Sequence, residues 1–171
     1  DAFCILWDGQ ALHGLNAAGR ARARWSVDYF RRKYGDAGAP PKRGIDSVTV
    51  PGAVSAWVQL NQRFGRLPLA EVLAPAIEIA ERGYAVPVVV RQKWAAAVPE
   101  LQALPGFAPA FMPWGRAPRG GELFRFSAAA RALKSIADSR GAAFYGGEIA
   151  HAIARFAASQ GGAIEAGDFE R

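Results

Sequence analysis

Glycine and proline are spread along the whole chain and restrict it to short elements. The 171 residues include 19 glycines and 11 prolines. Glycine at helix ends and proline at element boundaries stop regular structure, because one frees the backbone and the other lacks an N–H. No apolar stretch approaches the roughly 18 residues that a bilayer requires. Together with an ordinary globular composition, 51% hydrophobic and 21% charged, this predicts one folded domain without a membrane segment.

The first third of the chain combines strand and helix patterns. Phe3–Trp7 and Ala11–Leu15 flank Asp8-Gly9, a dipeptide typical of a tight turn, and so predict a β-hairpin. Ala21–Tyr34 predicts a helix, with aromatic residues on one side and basic residues on much of the rest. The β-branched run Asp46–Val50 predicts a short strand that ends at the following proline.

The remainder of the chain is mostly helical by pattern. Apolar residues recur at helical spacing over Ala53–Phe64 and between Pro68 and Gly83, where Pro75 predicts a kink or a break. Further helices are predicted over 86–99, 127–139 and 147–160, with an ordered, aromatic-rich loop at 105–121. There is no internal repeat and no interdomain linker. The predicted class is therefore α+β, mostly helical with a small sheet portion, in a single partial domain, residues 1–171.

Basic residues are concentrated near the start of the chain. Residues 1–43 hold eight Lys or Arg against four acidic residues, within a net charge of +6. Such a cluster can bind nucleic acid. No aromatic platform, zinc-ligand spacing or recognition helix accompanies it, so a solvated helix face is favoured and no nucleic-acid partner is predicted.

The residues that commonly hold metals or act as nucleophiles are few. Cys4 is the single cysteine, which excludes an internal disulfide, and it lies in an apolar run typical of a structural position. His13 and His151 carry no metal or catalytic spacing. We predict no metal site and no cofactor. The sequence does not distinguish a cytoplasmic from a periplasmic location. Because Asp1 already lies in a strand pattern without an initiator Met, we expect the chain to be cut from a longer one.

A series of motifs carries a family resemblance. They are Asp1-Ala2-Phe3, Ser47-Val48-Thr49-Val50-Pro51-Gly52-Ala53-Val54, Phe64-Gly65-Arg66-Leu67-Pro68-Leu69, Ala80-Glu81-Arg82-Gly83-Tyr84, Phe144-Tyr145-Gly146-Gly147-Glu148-Ile149-Ala150 and Gly161-Gly162-Ala163-Ile164. In this order they resemble the large subunit of the gamma-glutamyltranspeptidase family, and the likeness spans nearly the whole chain. The resemblance implies part of a four-layer αββα N-terminal-nucleophile hydrolase fold.

The resemblance also implies a chemistry. Such enzymes cleave gamma-glutamyl or related acyl amide bonds through an acyl-enzyme on a threonine that self-cleavage makes N-terminal. The implied partners are a small-molecule amide substrate and the small subunit of the same precursor. Thr49 is the single threonine, and the resemblance places it in a scaffold motif. We therefore assign no catalytic residue here and expect the nucleophile beyond Arg171.

Substrate-binding residues are suggested by a departure from the family pattern. Transpeptidases carry an Arg-Glu pair after the second strand, where the arginine binds the donor carboxylate. Here Asn16 and Ala17 occupy those places, and loss of the bidentate fork is worth about 1–3 kcal/mol. Arg20 is the possible substitute, unless it begins a basic helix face. Asn16 and Arg20 are thus the candidate substrate-binding residues. A sequence with Asn16 in place of the arginine resembles the cephalosporin acylase-type branch of the family.

A non-catalytic function is the alternative. Loss of the Arg-Glu pair is the main support for a scaffold or binding homologue of the same fold. The threonine expected downstream distinguishes the two hypotheses.

Overall fold

The computed structural model describes residues 1–36 and 40–170. The strands and helices are β1 (Ala2–Trp7), β2 (Leu12–Ala17), α1 (Val27–Tyr34), α2 (Ala53–Phe64), α3 (Leu69–Arg82), β3 (Tyr84–Ala85), α4 (Val88–Leu101), α5 (Phe107–Phe111), β4 (Leu123–Phe124), α6 (Ser127–Ser139), α7 (Ala142–Tyr145) and α8 (Glu148–Ser159). Two-stranded antiparallel sheets form from β1 with β2 and from β3 with β4. The mostly helical class with little sheet is confirmed.

The contacts group into two compact units. Unit 1 comprises residues 1–70 and 135–171, and unit 2 comprises residues 71–134. The assignment of residues 1–171 to one partial domain stays a prediction. No helix in the described part of the chain is long and apolar enough to span a membrane.

The predicted hairpin opens unit 1. Cα partners run from Ala2 opposite Ala17 to Trp7 opposite Leu12. The turn is held by the Asp8 carboxylate, which accepts the N–H groups of the two residues after Gly9 at 2.8 Å, and Gly9 has the expected positive φ of 100°. Alternate side chains of the ribbon are half-buried and exposed, which is the pattern of a sheet covered on one face.

Helix α1 begins later than its pattern predicts. The hydroxyl of Ser26 accepts the N–H of Tyr29 at 3.0 Å and so caps the helix, which begins at Val27. Residues 21–26 are not helical. The prediction of a solvated basic helix face is wrong at Arg22, whose side chain is fully buried.

The predicted strand at 46–50 is also wrong, because a buried carboxylate organises this segment. Ile45–Ser47 is a 3₁₀ turn, and the Asp46 side chain is fully buried. The hydroxyls of Tyr29 and Tyr34 donate to Asp46 at 3.0 and 2.8 Å, and Lys33 Nζ donates to it at 2.5 Å. Three side chains of α1 thus donate hydrogen bonds to one carboxylate.

Arg22 approaches the same carboxylate from the other side. Its Nη1 lies 3.5 Å from Asp46 Oδ1, and its Nη2 donates to the carbonyls of Ile45 and Val48. The guanidinium also lies 4.6 Å from the centre of the Trp25 ring, within cation–π range. The segment 44–50 is therefore fixed by side-chain donors instead of by a strand ladder.

These contacts shift the acidity of the cluster. Burial alone raises the pKa of Asp46, but the hydrogen bonds from Lys33, Tyr34 and Tyr29 outweigh it and hold the pKa below its usual value. The hydrogen bond to Asp46 raises the pKa of Lys33. Asp46 is thus ionised and Lys33 protonated near neutral pH.

The remaining core of unit 1 lies around α8. Val50, Ala150, Ala157, Ile164 and Phe169 form one buried cluster. Helices α2 and α8 match their predicted ranges to within a residue at each end, because both carry an apolar stripe at helical spacing.

Unit 2 is built on aromatic side chains. Helix α3 continues through Pro75, so of the predicted kink or break, the break does not occur. The segment predicted as an ordered loop, 105–121, contains the short helix α5. The two short strands pair Tyr84 with Phe124 and Ala85 with Leu123.

We predict that Asp46→Asn destabilises the fold by about 3–5 kcal/mol at neutral pH, because Arg22 would remain buried without its counter-charge. A depressed carboxyl pKa adds stability above the unfolded-state value of about 3.9, and this stability is lost as pH falls through the folded-state pKa. The deficit of the variant should therefore shrink below about pH 4. Urea unfolding over a pH series measures it.

Asp138→Asn is the control for this prediction, since Asp138 is exposed and should change stability by less than about 0.5 kcal/mol. Equal unfolding midpoints for Asp46→Asn and the wild type at pH 7 would contradict the role given to the cluster.

Candidate substrate-binding site

A cavity of about 620 Å³ lies in unit 1 where the end of β2 meets the start of α2. Its lining includes both residues predicted to bind substrate, Asn16 and Arg20, together with Ser55, Gln59, Tyr145 and Asp168. The structure therefore brings the two predicted residues to one concave surface, of the size that small-molecule sites usually have.

Two glycines allow the backbone crossing that forms this cavity. Gly19 has φ of 80°, and a Cβ there would lie 1.9 Å from the carbonyl oxygen of Val50. A Cβ on Gly52 would lie 2.3 Å from the carbonyl oxygen of Ala17. The Val50 N–H donates to the Arg20 carbonyl at 3.1 Å across the same crossing. Only residues without a side chain permit this approach.

Tyr145 holds the opposite wall in place. Its hydroxyl donates to the Pro51 carbonyl at 2.8 Å and accepts the Ser55 N–H at 2.9 Å. The Ser55 hydroxyl donates to the Gly52 carbonyl at 2.7 Å, so it serves as a local cap and not as an activated nucleophile. In the sequence, Tyr145 is only one residue of the motif at 144–150. Local spacing could not predict its contact with Pro51, which lies 94 residues earlier.

Asp168 is a structural carboxylate at the edge of the cavity. Its Oδ1 accepts the Ala23 N–H at 2.9 Å, and its Oδ2 accepts the Glu165 N–H at 3.0 Å. The residue is 7% exposed. Since each oxygen already accepts a backbone hydrogen bond, Asp168 closes the turn at 165–168 and secures the segment that precedes α1.

Asn16 is oriented by its own backbone. Its Oδ1 accepts the Ala18 N–H at 3.0 Å, a turn that asparagine commonly forms. The amide oxygen is therefore occupied, and the amide nitrogen remains as a donor. Asn16 is exposed at the end of β2.

Arg20 differs from the two arginines that follow it. Arg22 is buried against Asp46, and Arg24 pairs with Glu165 at 2.8 Å. Within the described residues, the Arg20 side chain forms no hydrogen bond or ion pair, and it is exposed at the cavity. The alternative that Arg20 begins a basic helix face is wrong, because residues 20–24 are not helical.

Thr49 has a structural position, as its motif indicated. Its hydroxyl donates to the Ala18 carbonyl at 3.2 Å and supports the backbone crossing. Over residues 1–36 and 40–170, no group of three or more His, Cys, Asp or Glu side chains is placed to hold a metal ion. The cavity as described thus offers donors for an anion, while the residues around it build the scaffold.

The fold agrees with the solved structure of an acylase. Cephalosporin acylase from Bacillus halodurans matches with a TM-score of 0.92 and 39% sequence identity, over 98% of this chain and 32% of that chain. The likeness confirms the predicted class, a mixed helix and sheet portion of the four-layer N-terminal-nucleophile hydrolase fold.

The family model of gamma-glutamyltranspeptidase matches residues 1–171, and the chain belongs to this family. The Acylase ACY 1 proenzyme of Pseudomonas sp. (strain V22) is 38% identical over 125 residues, which cover 73% of this chain and 22% of that protein. The Glutathione hydrolase-like YwrD proenzyme of Bacillus subtilis (strain 168) is 33% identical over 173 residues, covering 99% and 32%. The chain therefore spans about a fifth to a third of these relatives' length.

We predict that Gly19→Ala destabilises unit 1 more than Gly9→Ala does, by at least about 2 kcal/mol. Both glycines have positive φ, but only at Gly19 would the new methyl group meet backbone, since nothing lies within 4 Å of the position at Gly9. The control therefore shares the backbone strain of about 1–2 kcal/mol and lacks the clash. Urea unfolding of the two variants measures the difference, and equal stabilities would refute the crossing.

Proposed function

We propose that this chain forms the donor-binding part of the larger subunit of an amidohydrolase or acyltransferase. The reaction is cleavage of gamma-glutamyl or related acyl amide bonds through an acyl-enzyme on an N-terminal threonine outside residues 1–171. Family membership and the proenzyme names of the relatives support the reaction class. The unpaired Arg20 beside the Asn16 amide, in one cavity, supports the donor-binding role.

The chemistry begins with self-cleavage of the precursor, which frees the α-amino group of the threonine. An α-amine has a pKa near neutrality, so it can take the hydroxyl proton as the oxygen attacks the amide carbon and then return it to the leaving amine. Water or an acceptor amine attacks the resulting ester and releases the acyl group. The small subunit of the same precursor carries this threonine in the proposal.

This chain contributes binding to that reaction. The Arg20 guanidinium supplies a charge-assisted fork for a carboxylate at the far end of the acyl group. The Asn16 amide nitrogen adds a neutral donor, and Gly52, the residue at the N-terminus of α2, also lines the cavity. These groups would hold the acyl chain in one orientation before attack.

The cavity favours an acyl group that has a terminal carboxylate and lacks an α-ammonium. An α-ammonium is bound most strongly by a carboxylate, and within the described residues the single carboxylate lining this cavity is Asp168. Its two oxygens already accept backbone hydrogen bonds. Ala17 stands where the family's glutamate would be. A glutaryl amide therefore fits this wall better than a gamma-glutamyl amide.

A scaffold homologue without catalysis is the second candidate, because the Arg-Glu pair is replaced by Asn16 and Ala17. Only the first proposal requires the full-length precursor to cleave itself into two chains, so this maturation distinguishes the two candidates.

We predict that the full-length precursor splits into two chains and that changing the threonine at the new N-terminus to alanine blocks both splitting and amide hydrolysis. Gel electrophoresis and N-terminal sequencing follow the first, and release of an anilide chromophore follows the second. An intact alanine variant with full activity would reject the mechanism. A wild-type precursor that neither splits nor hydrolyses amides would favour the scaffold function.

We predict that Arg20→Gln lowers kcat/KM for a glutaryl anilide about 5- to 150-fold, mainly through KM, because a charge-assisted hydrogen bond is worth about 1–3 kcal/mol. Hydrolysis of a butyryl anilide, which lacks the carboxylate, should not change. The matched control is Arg24→Gln, since Arg24 is exposed and pairs with Glu165 outside the cavity. Equal losses on the two anilides, or in the two variants, would exclude Arg20 as the carboxylate ligand.

A further inference from the structure

A second cavity, of about 710 Å³, is lined by residues of unit 2 alone. One side is formed by Ala76, Ile79 and Ala80 of α3. The other sides carry aromatic rings from four different segments, namely Tyr84, Trp94, Phe107, Phe111, Phe124 and Phe126. None of these residues has a part in the reaction proposed for the Asn16 cavity.

The aromatic rings support one another and so form a rigid wall. The Trp94 and Phe124 rings have centroids 4.8 Å apart at an angle of 76°, and Phe111 and Phe126 are 5.3 Å apart at 68°. Trp94 also contacts Phe111 edge-on at 6.1 Å. Edge-to-face pairs of this kind add stability beyond their buried area. The cavity is thus shaped by ring packing before anything enters it.

The polar groups of the lining determine which ligand charge it can accept. The lining residues contribute three polar side-chain groups, the Tyr84 hydroxyl, the Lys93 ammonium and the Trp94 indole N–H, and no carboxylate. Lys93 is exposed at the rim and, among the described residues, its ammonium has no hydrogen-bond or ion-pair partner. A positive group beside an apolar cavity attracts an anion and repels a cation.

We propose that this cavity binds a small organic anion with an aromatic or branched apolar body, whose anionic group lies at Lys93. The volume is within the range of small-molecule sites, which is about 300–1,000 Å³. The body contacts the ring wall and the alanine-rich face of α3, where small side chains leave space. The anionic group stays at the rim, where water and Lys93 solvate it together.

A peptide backbone is a poorer occupant of the same cavity. Its N–H and C=O groups would lose water on entry, and each buried group without a partner costs free energy. The apolar walls provide hardly any partners for them. An apolar body without internal polar groups avoids this cost.

The proposal is tested by fluorescence titration of the full-length protein with two dyes that share one aromatic body. One dye, 8-anilinonaphthalene-1-sulfonate, is an anion, and the other, N-phenyl-1-naphthylamine, is neutral. We expect saturable binding of both. Lys93→Gln should weaken the anionic dye about two- to fivefold and leave the neutral dye unchanged.

Two further variants identify the site. Ala76→Phe fills the cavity from an exposed helix position and should weaken both dyes roughly tenfold. Arg91→Gln is the matched control, because Arg91 is an exposed cation on the same helix as Lys93 and does not line the cavity. It should change neither dye, and circular dichroism checks that each variant is folded.

Three outcomes would overturn the proposal. Absence of saturable binding to the full-length protein would mean that another part of the polypeptide fills the cavity. If Lys93→Gln and Arg91→Gln weakened binding of the anionic dye equally, the effect would come from general surface charge. Unchanged binding to a folded Ala76→Phe variant would place the dye elsewhere on the protein. None of these readouts depends on amidase activity, so the result is independent of the proposed reaction.

Discussion

The carboxylate of Asp46 is the interaction on which unit 1 most depends. It gathers Lys33 and two tyrosines from α1 on one side and Arg22 on the other. Lys33 also donates to the Gly161 carbonyl at 2.6 Å, just after α8. One buried charge thus connects the segment that follows the hairpin, helix α1, the turn at Ile45–Ser47 and the end of α8. Removal of the Asp46 carboxylate would leave the Arg22 guanidinium in a medium that solvates it poorly.

The same cluster decides which arginine is available at the cavity. Arg22 is withdrawn into the interior and Arg24 is paired at the surface. Arg20 remains, at the point where Gly19 passes against Val50. Because residues 21–26 are held by side-chain contacts and not by helix hydrogen bonds, three arginines at alternate positions reach three different environments. Charge neutralisation in the core and, under the proposed function, anion binding at the surface are therefore separate tasks of similar side chains.

The two units differ in how they acquire their shape. Unit 1 uses buried hydrogen bonds, a tight backbone crossing and the Tyr145 hydroxyl, each of which requires specific partners. Unit 2 uses packed aromatic rings, whose edge-to-face contacts need no hydrogen-bond partner. Both units lie within residues 1–171, which match the family model of gamma-glutamyltranspeptidase. Under the proposed function, this chain recognises the acyl donor and residues elsewhere perform the attack.

The sequence by itself determined the elements that are specified by patterns within a few neighbouring residues. The hairpin about Asp8-Gly9, the amphipathic helices α2, α3, α6 and α8, and the family resemblance were all predicted, because turn chemistry and apolar periodicity act over a few residues. It also indicated Asn16 and Arg20 as candidates through their positions in the resemblance. Only the tertiary structure decided that 45–47 is a turn, that 21–26 leaves the helix and that Arg20 is unpaired while Arg22 and Arg24 are paired. Those outcomes rest on contacts such as Arg22 with Asp46 and Asp168 with Ala23, which join residues 24 and 145 positions apart. Local propensity depends on neighbouring residues and therefore cannot predict contacts at such sequence separations. A buried charge overrides it, since burying an ion without its partners costs more free energy than a short strand or a helical turn contributes.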